Sequence, residues 1–257
     1  MERLKTSAQN LGLTLTDKQL AMFQVFYQEL VAWNEQFNLT AITEYEQVQI
    51  RHFADSLSCL LALDERPPDR ERRPLRCIDI GSGAGFPGLP IKIYCPQMQI
   101  VLLEATGKKV TFLEHIVARL SLKEVVPIKG RAEEVAHDPG HRERYDLVLA
   151  RAVAGLSTLA EYALPLCRMG GLVIAQKGAS AQEETQAAEY AVSILGGRVK
   201  RLISVELLGL AEARTLVVIE KVACTPNQYP RRPGIPAKRP LKAQVATDDD
   251  DPETSGS

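Results

Sequence analysis

Seven short apolar runs order the larger part of this chain: LRCIDI, QIVLLE, EVVPIK, YDLVLARA, GGLVIAQ, RLISVEL and RTLVVIEK. Helical stretches separate the first five, among them GLPIKIY, GKKVTFLEHIVARL, RAEEVAHD and LSTLAEYALPLC, and EETQAAEYAVSIL follows the fifth. Apolar strands alternating with helices predict βαβ units and a parallel sheet covered on both faces. Only LGLAEA separates the last two runs, which is too short for a helical crossover, so these two strands must pair antiparallel. The expected fold is therefore α/β, with five strands alternating with helices and a terminal hairpin.

The residues before this pattern are different. TDKQLAMFQVFYQELVAWNEQFN carries Leu20, Phe23, Phe26, Tyr27, Leu30, Val31 and Trp33 near a 3.6-residue period, with Thr16 placed to cap it. EYEQVQIRHFADSLSCLLAL reads as a second helix, and DERPPDRERRP as a linker. Beyond about Cys224 the chain is rich in proline, with a basic stretch RRPGIPAKRPLK and an acidic end DDDDPE, which predicts disorder. The expected division is a helical region over 1–73, a Rossmann-like domain over 74–222 and a disordered tail over 223–257.

The first strand ends in CIDIGSGAGFPGLPIKIY, with four glycines between positions 81 and 88. A strand, a glycine loop and a helix make a nucleotide-binding turn: the missing side chains let a ligand touch the backbone, and the helix start near Gly88 offers free N–H groups. Gly83, Gly85 and Gly88 satisfy G-x-G-x-x-G, which does not by itself separate a dinucleotide from S-adenosylmethionine. Asp79 favours the second, because a carboxylate repels a pyrophosphate and attracts the ammonium of a methionine moiety. Glu104, at the end of the second strand, suits the ribose hydroxyls of either cofactor. The terminal hairpin resembles the class I S-adenosylmethionine-dependent methyltransferase sheet and not a dehydrogenase domain.

Seven blocks in order carry a closer resemblance: FNLTAIT, RHFADSL, DIGSGAGFPGLPIKI, GKKVTFL, GRAEE, ARAVA and KG. From about residue 20 to 222 the chain is similar to the bacterial 16S rRNA guanine-N7 methyltransferases, the glucose-inhibited division protein B family. The resemblance implies methyl transfer from S-adenosylmethionine to N7 of one guanine in the decoding-region loop of 16S rRNA. It implies that Gly81 and Phe86 line the methionine end of the cofactor. Glu104, Ala105 and Thr106 would hold the ribose side, Ala132 and Glu133 would frame the adenine, and Arg151 would sit where cofactor and target base meet. With Asp79, Gly83 and Gly85 these are the expected cofactor-binding residues, and Arg151 is the expected catalytic one.

N7 of guanine is an unprotonated nucleophile at neutral pH, so no general base is required and positioning suffices. The region after the fourth strand agrees. It holds neither an Asn/Asp-Pro-Pro-aromatic motif, expected for amine methylation, nor a cysteine for covalent attack on a pyrimidine. Arg151 stands there instead, able to hold a phosphate, O6 or the cofactor carboxylate. His52 and Asp55 share a helix face and either pack on the cofactor domain or touch the target. Asn38 reads as a turn or capping residue. Arg51, Lys108, Lys109, Arg119, Lys123, Lys129 and Arg131 are expected around the cofactor edge as candidate RNA contacts. A class I methyltransferase acting on another RNA or a small molecule is the alternative reading.

The remaining composition narrows the setting. The formal net charge is -1, so any RNA surface must be a local patch. Five cysteines, Cys59, Cys77, Cys95, Cys167 and Cys224, form no CxxC and no metal-ligand spacing, which predicts reduced thiols and no metal. MERLKTSAQN has no signal core, and no apolar run nears the roughly 20 residues of a membrane span. A soluble, monomeric cytoplasmic protein acting on the small ribosomal subunit or an assembly intermediate is expected.

Overall fold

A computed structural model describes residues 1–63 and 74–243. The linker residues 64–73 and the acidic end, on which two of the expectations above fall, lie outside the described residues.

The helical region begins with α1 (Glu2–Asn10) and α2 (Asp17–Phe37). A capping box starts α2: the Gln19 N–H donates to Thr16 Oγ1 at 3.3 Å and the Thr16 N–H donates to the Gln19 side chain at 2.9 Å. Asn38 ends it in the left-handed region at φ 49°, the capping role its sequence context suggested. The segment expected as one helix is a single rod of three pitches. It runs from α3 (Tyr45–Val48) through a π-helical stretch (Gln49–Ala54) and α4 (Asp55–Ser58) to a 3-10 turn (Cys59–Leu63).

The sheet strands are β1 (Arg76–Ile80), β2 (Gln99–Glu104), β3 (Val125–Lys129), β4 (Tyr145–Arg151), β5 (Cys167–Lys177), β6 (Gly197–Val205) and β7 (Arg214–Lys221). Between them lie α5 (Gly88–Tyr94), α6 (Gly107–Arg119), α7 (Ala132–Val135), α8 (Leu156–Ala163) and α9 (Ala181–Ile194), and α10 (Ile235–Lys238) follows. The order is β3-β2-β1-β4-β5-β7-β6. The first five strands are parallel, and β7 enters antiparallel between β5 and β6. This is the seven-stranded class I methyltransferase sheet with its antiparallel terminal hairpin. The order reverses between β1 and β4, and the crevice at such a switch point is where ligands of open α/β sheets bind.

Each sheet face has its own core. On one, residues of α5 and α6 pack with the N-terminal helices, and Phe53 centres an aromatic cluster with Phe23, Phe26 and Phe86 at 4.9, 5.4 and 6.0 Å. On the other, α7, α8 and α9 pack over Val148, Val173 and Val217.

Residues 223–243 correct the expectation of a disordered tail. Arg142 donates to the carbonyls of Thr225 and Tyr229, both at 2.9 Å, and of Pro226 at 3.3 Å. Arg231 pairs with the buried Glu161 at 2.6 Å. This segment meets its backbone needs through side chains of the body instead of through long regular structure, so it carries no periodic signal in the sequence.

Because Phe53 ties the N-terminal helices to the sheet, Phe53→Ala is expected to cost about 3–5 kcal/mol. Urea denaturation followed by circular dichroism and by Trp33 fluorescence should give coincident transitions in wild type and variant. Separate transitions would mean that the helical region unfolds on its own.

Candidate active site

The loop after β1 is built by glycines for two different reasons. Gly81 (φ 65°) and Gly83 (φ 58°) hold left-handed backbone, and a Cβ at Gly83 would meet nothing nearer than the Gly81 carbonyl at 3.9 Å. That side of the loop faces open space, as a ligand surface must. At Gly85 a Cβ would run into Leu89, and at Gly88 into Leu102 at 2.6 Å and Asp79 Oδ2 at 2.9 Å. Those two positions are small because the protein itself fills the space. The Gly88 N–H, expected to face the ligand, donates instead to Asp79 Oδ2 at 2.9 Å.

Asp79 is fully buried, and its other oxygen, Oδ1, has no hydrogen-bond partner. Burial pushes its pKa up to about 7, with the Gly88 N–H and Arg151 opposing and Glu104 adding to the rise. A buried carboxylate with an unused oxygen fits a cationic group. Glu104, also buried, closes the loop from the neighbouring strand end: Oε2 accepts the Gly83 N–H at 3.0 Å and Oε1 accepts the Thr106 N–H at 2.8 Å. Each oxygen keeps a lone pair, so the carboxylate is oriented and still able to accept a diol. Ala105 and Thr106 are exposed beside it. The donor set therefore fits S-adenosylmethionine: Asp79 for its charge, Glu104 for its ribose.

Two expected contacts differ. Phe86 turns its ring inward, stacking on His52 at 4.5 Å and Phe26 at 5.3 Å, because a buried ring gains most among other rings. The ring braces the loop from within. Glu133 is buried in the first turn of α7, where Oε1 accepts the Gly234 N–H at 3.0 Å. It faces residues 229–239, and Ala132 lies buried beside it.

Arg151 ends β4, next to the end of β1. Its Nη1 donates to the Arg51 carbonyl and to Asp55 Oδ2, both at 3.1 Å, and its Nη2 approaches His52 Nδ1 at 3.3 Å. The guanidinium lies 5.1 Å from the Phe86 ring centroid. The same Nδ1 of His52 lies 3.1 Å from the Arg51 carbonyl, and Nε2 is 2.8 Å from Thr40 Oγ1, so polar atoms of the protein surround both ring nitrogens. Burial first, and then the Arg151 charge, lower the His52 pKa to about 3, so the imidazole is neutral. Asp55 also faces Arg214 at 3.5 Å, yet burial outweighs both cations and raises its pKa. His52 and Asp55 thus bind the helical region to the catalytic edge through Arg151.

A cleft of about 400 Å³ opens at this junction, lined by Arg51, His52, Asp55, Arg151, Ala152, Gln176, Lys177 and Arg214. Ala152 sits in the left-handed region at φ 55°, a conformation that costs a non-glycine residue of order 1–3 kcal/mol. Gln176 Oε1 is buried there without a partner. Lys177 donates to the Ala154 carbonyl at 2.6 Å and Glu184 at 2.8 Å. Sequence reading gave Gln176 and Arg214 no part and Lys177 only a place in a motif. Their meeting follows from the β5–β7 register, Gln176 opposite Leu216 and Lys177 opposite Thr215, which has no local signal. Of the expected basic rim, Arg119 ends α6 about 18 Å from the start of that helix and pairs with Glu29 at 2.9 Å, away from the cofactor edge, and Lys123 lies beyond it. Among the described residues no group of side chains is arranged to hold a metal.

Arg151→Ala is expected to destabilise the protein by about 3 kcal/mol by leaving Asp55 buried against Arg214 alone. Adding Asp55→Asn should recover most of that loss in urea denaturation. Equal costs that simply add would mean the two groups are not coupled.

Comparison with known proteins completes the picture. The family model GidB, described as rRNA small subunit methyltransferase G, matches residues 19–210. Ribosomal RNA small subunit methyltransferase G of Roseiflexus castenholzii is 51% identical over 241 residues, covering 94% of this chain and all of that protein. Its counterpart in Dehalococcoides mccartyi is 50% identical with the same coverage, and that of Bacillus cereus 40% identical over 242 residues, 94% of this chain and 99% of the relative. Among solved structures, the [4+2]-cyclase SpnF superposes with a TM-score of 0.50 at 14% identity, over 66% of this chain and 82% of that one, a likeness of fold alone. The chain belongs to the GidB family, rRNA small subunit methyltransferase G.

Proposed function

We propose that this protein transfers a methyl group from S-adenosylmethionine to N7 of a single guanine in the decoding-region loop of 16S rRNA, in the cytoplasm. The observation that carries this reading is the cleft at the end of β4. It is cationic, it adjoins the glycine loop, and its one histidine is neutral and enclosed by Thr40, the Arg51 carbonyl and Arg151. Such a site holds an anionic polymer and offers no free base, which suits a nucleophile that has no proton to lose.

S-adenosylmethionine supplies an electrophilic methyl group on a sulfonium. The protein supplies position. Asp79 and Glu104 fix the two ends of the donor, with Gly81 and Gly83 giving backbone access between them. Arg151 commits two of its five N–H donors, both on Nη1, to Arg51 and Asp55, and sets Nη2 beside His52. Its Nε–H and one Nη2–H remain for the target's O6 or a flanking phosphate. Donation to N7 itself would block the nucleophile, so the fork must address a neighbouring acceptor. Lys177, Arg51 and Arg214 neutralise phosphates around it. Catalysis is then orientation in a site that excludes water.

The test is a transfer assay with labelled S-adenosylmethionine and small subunits from a strain lacking this gene. Label at N7 of one guanine in the decoding-region loop is expected; label elsewhere, or none despite cofactor binding, overturns the substrate assignment. In the Asp55→Asn background, Arg151→Ala is expected to lower kcat about a hundredfold with folding retained.

Asp79 adds a pH prediction. Its native pKa, raised above the unfolded value, means that this group's contribution to stability is full in acid and lost as pH rises through about 7. A bound cation favours the carboxylate. Cofactor binding at pH 7 should therefore release about half a proton and tighten between pH 6 and 8. Calorimetry in buffers of different ionisation enthalpy reads the proton directly, and Asp79→Asn should abolish it while weakening binding.

A further inference from the structure

The segment that follows β7 takes a long route for a tail. It leaves the sheet at the edge where β4 begins, held by Arg142 through the carbonyls of Thr225, Pro226 and Tyr229. It then climbs between α7 and α8. His137 bonds the Pro230 carbonyl at 2.7 Å, and Arg231 meets Glu161, which is fully buried, through its N–H, Nε and Nη2. It arrives at the catalytic edge, where the Gly234 N–H donates to Glu133 in the first turn of α7 and Thr158, in the first turn of α8, donates to the Pro236 carbonyl at 3.1 Å. Thr158 is three residues past Gly155, the end of the loop that starts at Arg151.

From Cys224 to Ala243 this strap contains no acidic residue. Arg232, Lys238, Arg239 and Lys242 are exposed, and none forms an ion pair among the described residues. A segment that only covered the α7–α8 groove would need Arg231 and its backbone contacts; it would not need four unpaired cations delivered to the catalytic edge. A polyanion docked in the neighbouring cleft would need them.

We propose that the strap is a second RNA-binding element, a phosphate rim formed by Arg232, Lys238 and Arg239 on the adenine side of the site. This rests on the reading of the substrate as ribosomal RNA. The strap holds the backbone flanking the target, and the cleft holds the target itself. It acts on substrate affinity and salt dependence and takes no part in cofactor binding.

The test replaces the three cations together, Arg232→Gln, Lys238→Gln and Arg239→Gln, in the full chain. None of these side chains is buried, so the melting temperature should not move. KM for small subunits at ~0.1 M salt is expected to rise about tenfold, and the slope of log affinity against log salt to fall by about two, with kcat and the cofactor Kd unchanged. An unchanged KM and slope overturn the proposal. A weakened cofactor Kd also overturns it, assigning the strap to the adenine pocket through Glu133. Equilibrium binding to small subunits without cofactor, wild type against variant, separates this from the substrate reading. If wild type methylates nothing, the substrate reading fails, and equal binding by both proteins sinks the strap as well.

Discussion

The pairing of Arg151 with Asp55 is the contact on which the site depends. A guanidinium at the end of a central strand cannot be left at a half-buried sheet edge without acceptors. The helical region supplies two, a backbone carbonyl and a carboxylate, and sets a neutral imidazole beside them, all from one rod. The rod brings Phe53 into the aromatic cluster, and Phe86 carries that cluster into the glycine loop. Asp79 and Glu104, from two strand ends, hold the loop in turn through the Gly88 and Gly83 N–H groups. The helical region is thus part of the active site's construction and not an accessory to a complete catalytic domain.

What could be read in the sequence follows from how local each signal is. The strands of the parallel sheet announce themselves as buried apolar runs, and the short LGLAEA connection forces the antiparallel pairing that distinguishes this sheet. The capping box at Thr16 and the turn at Asn38 are equally local. Asp79 and Glu104 were legible because each stands at a strand end, where charge and topology coincide. The direction in which Phe86 points was not, since it depends on Phe26 and Phe53 arriving from a helix far away in sequence. Arg214 and Gln176 were hidden for the same reason, meeting only through the register of two strands. The ordered strap was hidden by composition: proline-rich sequence resembles disorder unless one knows that Arg142 and Glu161 wait beneath it.

The glycine loop shows why a motif and its explanation can part company. Its four glycines look like one adaptation to a ligand. Only Gly83 faces open space, whereas Gly85 and Gly88 make room for Leu89, Leu102 and the carboxylate of Asp79. The loop therefore serves the ligand in part by burying an acid. Closing the helix start onto Asp79 takes that carboxylate out of water, so that its charge state answers to whatever cation comes near.

The π-helical stretch Gln49–Ala54 sets the angular phase of this arrangement. Its wider turn accommodates one more residue than an α-helix of the same rise, and Arg51 and His52 lie within it while Asp55 follows directly. The same six residues wound at ordinary α pitch would rotate everything on one side by about 100° relative to the other. The aromatic anchor Phe53 and the acceptors for Arg151 would then face different directions. The extra residue works as a key cut into the rod: it lets one helix serve an apolar core and a polar site at angles that a regular helix could not satisfy together.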